Sequence, residues 1–148
     1  MKANELMVGD WVCYNAPNKY YTKVEEIRCK DKGEIYYIRG YRDSEDPSSE
    51  RLVFGDFNMD ILHPIPLTPE ILEKNGFVKA SMVSDTPSYD KDEEGNMHFS
   101  LNEKFWGWWQ PNNTFLIPAN GLGWIELKYV HELQHALRLG NIEKEIVL

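Results

Sequence analysis

Residues 61–77, reading I-L-H-P-I-P-L-T-P-E-I-L-E-K-N-G-F, carry more backbone constraint than any other stretch of the chain. The Thr68 hydroxyl suits an N-cap, where it can accept a backbone N–H of the first helical turn. Pro69 then falls at the first helical position, where a missing N–H costs nothing. Glu70 stands near the positive end of the helix dipole. Leu67 and Leu72 have the spacing of a hydrophobic staple. Gly76 is placed to take the left-handed position that ends a helix. The pattern predicts a short helix over residues 68–75, entered along an extended path set by Pro64 and Pro66. It also separates two kinds of sequence, so a boundary is expected here, between residues 1–64 and 65–148.

The first part is Gly-punctuated and rich in β-branched and aromatic residues. Strands are expected over residues 10–14, 20–28, 34–39 and 51–54, with a fifth over 61–63. In the second of these, Tyr20, Thr22 and Val24 share one face, and Tyr21 and Ile27 the other. Five short strands with turn signals between them point to a small antiparallel barrel of SH3-like type. Cys13 and Cys29 have no C-x-x-C spacing and read as thiols rather than as a disulfide framework.

The second part reads as a strand over 77–83, a polar acidic loop over 84–96, and strands over 97–101, 114–117 and 123–128. A helix over 129–139 follows, stopped by Gly140 and Asn141. Residues 146–148 could add a strand or a docking tail. Asp90 to Gly95 has the start of a calcium loop, but Leu101 stands where a ligating Glu is needed. A solvated loop is the better reading.

Two features bear on function. Phe105-Trp106-Gly107-Trp108-Trp109 is the densest aromatic segment. Its plain reading is a strand with core on one face, Trp106 and Trp108 on one side and Trp109 on the other. The functional reading is a stacking surface or interface anchor made by Trp106, Trp108 and Trp109. Trp11 and Trp124 read as core residues. The second feature, His131-Glu132-Leu133-Gln134-His135, matches H-E-x-x-H. On a helix that spacing can hold Zn²⁺ with His131 and His135, leaving Glu132 as general base. A third ligand is required. Arg138 and Asn141 stand where a metzincin has Gly and His, Glu143 and Glu145 are the near candidates, and His63 and His98 would come from afar. At about 100° per residue, Val130, Leu133, Ala136 and Leu137 form the apolar stripe with Tyr129. His131, His135 and Arg138 are then expected on the wet face. The zinc hydrolase is thus the alternative, and a non-enzymatic binder without cofactor the preferred reading.

The formal net charge of −8 opposes the phosphate attraction on which most nucleic-acid binders rely. A protein partner fits better, and nucleic-acid binding through the barrel is a second alternative. No run approaches the roughly 20 apolar residues of a membrane span, and residues 1–5 lack the apolar core of a signal peptide.

Three segments together carry a resemblance: A-N-E-L-M-V-G-D-W-V (residues 3–12), P-I-P-L-T-P-E-I-L-E-K-N-G-F (64–77) and Y-V-H-E-L-Q-H-A-L (129–137). The chain resembles the small uncharacterised proteins encoded by phages, prophages and mobile elements of gut-dwelling bacteria. The resemblance implies a cytoplasmic protein of the bacterial host and supplies no catalytic residues. The fold expected is α+β: an N-terminal SH3-like β-barrel, a capped helix, an antiparallel β-meander and a C-terminal helix.

Overall fold

The computed structural model describes residues 6–14, 20–29, 35–42, 51–55, 62–79, 95–119 and 123–148. Over these the chain is α+β, with two antiparallel sheets and two helices. It divides into two units, Met1–Ile65 and Pro66–Leu148.

The first unit holds β1 (Trp11–Tyr14), β2 (Tyr20–Cys29), β3 (Ile35–Arg42), β4 (Arg51–Gly55) and β5 (Leu62–Pro64), in the sheet order β4-β3-β2-β1-β5. Among the described residues no ladder joins β4 to β5, and the sheet is open. Its entry is a closed turn. Gly9 adopts φ +91°, which an L side chain resists, and its N–H donates to the Val24 carbonyl at 2.6 Å. A carboxylate oxygen of Asp10 accepts the Met7 N–H at 2.7 Å, which accounts for a fully buried aspartate. The core gathers Leu6, Val12, Val24, Ile38 and Leu62, with Ile27 packed against it. Strict alternation would send Val24 and Ile27 to opposite faces. The register of β2 against β3 shifts between Val24 and Glu26, and such a bulge re-phases the strand so that both reach one core. Cys13 is a buried thiol; it sits opposite Tyr21, while Cys29 lies at the far end of β2.

The second unit holds α1 (Pro69–Lys74), β6 (Val78–Lys79), β7 (Met97–Asn102), β8 (Phe105–Gln110), β9 (Thr114–Pro118), β10 (Trp124–Leu127) and α2 (Val130–Leu139), with sheet order β10-β9-β8-β7-β6. The punctuation of α1 is as the sequence predicts. The Thr68 hydroxyl accepts the Ile71 N–H at 3.3 Å. At the other end Gly76 takes φ +75°, Phe77 N–H donates to Leu72 and Gly76 N–H to Glu73, the two bonds of a Schellman motif. The same motif ends α2, but there Asn141 and not Gly140 takes the left-handed conformation, at φ 55°. Asn141 and Ile142 donate to the Arg138 and Leu137 carbonyls. The acidic stretch around Asp90 lies outside the described residues.

Residues 146–148 form a docking tail rather than a strand. The buried Asn75 side chain donates to the Ile71 and Val147 carbonyls and accepts the Val147 N–H, at 2.7–2.8 Å. Lys74 Nζ adds a bond to the Leu148 carbonyl. Ile146 is fully buried. One buried amide thus satisfies both backbone groups of a tail residue, as a neighbouring strand would.

The sheet's two faces differ. One carries Phe99, Phe105, Gly107, Trp109, Phe115 and Ile117, all buried. Phe77 joins them edge-on to Phe105 and Phe115, at centroid distances of 5.9 and 6.0 Å. With Leu72, Val130, Leu133 and Leu137 from the helices this forms the core of the second unit. Gly107 belongs to that face by necessity: a Cβ there would lie 2.2 Å from the Leu116 carbonyl oxygen and 2.8 Å from the Phe115 ring.

Candidate functional site

The other face of the second sheet is the candidate site. Alternation along β8 places Trp106 and Trp108 there, and Trp109 on the buried side. Cross-strand register then fills the face. Trp108 stands between His98 of β7 and Leu116 of β9, and Trp106 lies opposite Ser100. Trp124, opposite Pro118, opens β10 at the sheet edge. The rings touch in series. His98 lies 5.0 Å from Trp108 and 5.6 Å from Trp106, and Trp106 lies 6.0 Å from Trp124 with planes 76° apart. Trp106 and Trp108 are half-buried, and Trp124 is 53% exposed.

Two concavities flank Trp106. A shallow one of about 540 Å³ is lined by His98, Ser100, Asn102, Glu103, Trp106 and Trp108. A larger groove of about 1180 Å³ runs from Glu103 and Trp106 past Trp124 and Ile125 to Glu132 and His135. The β7–β8 turn that bears Glu103 is held by Asn102, whose side-chain oxygen accepts the Lys104 and Phe105 N–H groups, both at 2.9 Å. Partial burial disfavours the imidazolium and holds the His98 pKa below the ordinary value of 6.5. His98 therefore presents a neutral ring to the face near neutral pH.

Three residues lie elsewhere than the sequence predicts. Trp109, expected on the exposed surface with Trp106 and Trp108, is 4% exposed. It lies in register between Met97 and Phe115, on the side that forms the core. Trp124, read as core, is open instead, because β10 is an edge strand and its first residue has a neighbour on one side only. His98 joins the aromatic face through cross-strand pairing, which its own segment does not announce.

The third residue is His131 of H-E-x-x-H. His131 is 4% exposed and not on a wet face. The buried residues of α2 are Val130, His131, Leu133, Gln134 and Leu137, an arc of roughly 160° at 100° per residue, wider than the apolar stripe alone. The His131 ring stacks on Tyr129 at 5.8 Å and meets His135 edge-on at 5.8 Å. Glu132 is engaged in the backbone. One of its carboxylate oxygens accepts the Lys128 N–H at 2.6 Å and the Tyr129 N–H at 3.0 Å, the reach-back half of a capping box. Among the described residues no three His, Cys, Asp or Glu side chains are grouped as a metal site. A catalytic zinc takes three protein ligands, and the helix offers two imidazoles with a carboxylate committed to capping.

No protein-family model, curated protein or solved structure matches the chain. Among the described residues no helix is long and apolar enough to cross a membrane.

Proposed function

We propose that this chain is a non-enzymatic binding or adaptor protein of phage or mobile-element origin, acting in the bacterial cytoplasm and engaging a protein partner through the aromatic face of its second unit. The observation that carries the reading is the contiguous row His98, Trp108, Trp106 and Trp124, half-buried to exposed on one face of an antiparallel sheet. Tryptophan is enriched among the residues that dominate binding energy in protein interfaces. Such a row lies on the face of the sheet away from its buried side. The net charge of −8 favours a protein over nucleic acid.

The first unit is read as an SH3-like barrel. The order β4-β3-β2-β1-β5, in which the first strand joins the fifth to a three-strand meander, supports that reading, as does the bulge that bends β2.

Retention of host proteins on the immobilised chain, compared with a Trp106→Ala/Trp124→Ala variant, tests the proposal. A retained protein that disappears with the variant is the expected result. Identical retention by both would refute the assignment of this face.

A further inference from the structure

We infer that the groove beside Trp106 takes a basic peptide segment, with an arginine or lysine side chain seated in the corner between the Trp106 and Trp124 rings. The inference rests on the aromatic face being the binding surface and adds the chemistry of what it binds.

Two independent features of the groove converge on a cation. The first is the ring geometry. Trp106 and Trp124 stand at 76° with centroids 6.0 Å apart, so a side chain entering the corner meets more than one π-surface. Indole faces attract cations, and guanidinium also stacks on them. The second is charge. The groove is lined by three carboxylates, Glu103, Glu126 and Glu132, against one ammonium, Lys104. Glu132 is held by backbone N–H groups. Glu126 has, among the described residues, an exposed ion pair with Lys128 at 3.4 Å, of the kind that contributes little and exchanges readily. Glu103 projects from a turn whose backbone Asn102 holds. A cationic head can thus rest on indole while its charge faces Glu103 and Glu126. Its apolar stem would lie along the exposed Trp124. An anionic segment would meet these carboxylates, and a purely apolar one would gain nothing from them.

A displayed random-peptide library selected on the whole chain tests this. The expected result is enrichment of arginine and lysine, with retention lost in Trp106→Ala and in Trp124→Ala, which touches only an edge position. A selected peptide titrated by tryptophan fluorescence should lose on the order of tenfold in affinity when its arginine is replaced by citrulline. Glu126→Gln should weaken it in the same direction, and added salt should weaken it further. Circular dichroism of each variant establishes that the fold is intact. Peptides that depend on Trp106 and Trp124 but show no basic enrichment would overturn the cation inference and leave the aromatic-face proposal standing. No selection above background, or selection unaffected by either tryptophan, would overturn both.

Discussion

Replacing Gly107 with alanine has a sign that separates two opposing effects. Where a glycine's conformation suits any residue, alanine stabilises by about 0.4–1 kcal/mol, because the unfolded chain has less freedom to lose. Gly107 is not in the left-handed region, so that gain applies. Against it stands space. The new Cβ would lie 2.2 Å from the Leu116 carbonyl oxygen and 2.8 Å from two carbons of the Phe115 ring. An ordinary carbon–oxygen contact is about 3.3 Å, so β8 and β9 must part by roughly 1 Å. The obstructing oxygen is backbone and cannot rotate away, and Phe115 is fully buried against Phe77 and Phe99. Overpacking of this kind costs about 1–3 kcal/mol, and a rigid obstruction belongs at the upper end. The net expectation is a loss of about 2 kcal/mol, which for a unit of this size lowers the melting midpoint by roughly 8–16 °C. Thermal and urea unfolding followed by tryptophan fluorescence reads it directly, because Trp106, Trp108, Trp109 and Trp124 of the chain's 5 tryptophans lie in the second unit. An unchanged or raised midpoint would refute the packing argument, since chain entropy alone predicts a rise.

Asn75→Ala removes the side chain that holds Val147 from both sides; the expected loss is roughly 1–2 kcal/mol, with faster hydrogen exchange at the Val147 amide, and an unchanged exchange rate would contradict the clamp. Glu132→Ala removes the acceptor of two N–H groups at the start of α2. It should lower stability by about 1 kcal/mol in urea unfolding, and no shift would mean that the carboxylate is not capping. His98 should titrate by NMR with a midpoint below 6.5. Because its folded value is depressed, the stability contributed by the neutral ring is complete above the unfolded value and is lost as pH falls through the folded one. A midpoint at or above 6.5 would contradict its partial burial.

Local chemistry was legible from sequence wherever its cause lies within a few residues. Thr68, Pro69 and Gly76 punctuate α1 because a cap is a bond between near neighbours. The strands lie where β-branched and aromatic residues alternate, and Trp106 and Trp108 share a face because the pleat repeats every two residues. The α+β class follows from these elements alone. What the sequence could not determine was which side of each element other parts of the chain would cover. Trp109 is buried and Trp124 open because one faces the helices' side of a central strand and the other starts an edge strand. Ile27 reaches the core through a bulge that alternation cannot anticipate. His131 is buried because more of α2 is covered than its apolar stripe, and Asn75 matters because a tail more than seventy residues away docks on it. Burial and pairing are properties of surfaces brought together, so tertiary structure alone turned scattered aromatics into one face, buried the His131 ring and set the Glu132 carboxylate on the backbone N–H groups that open α2.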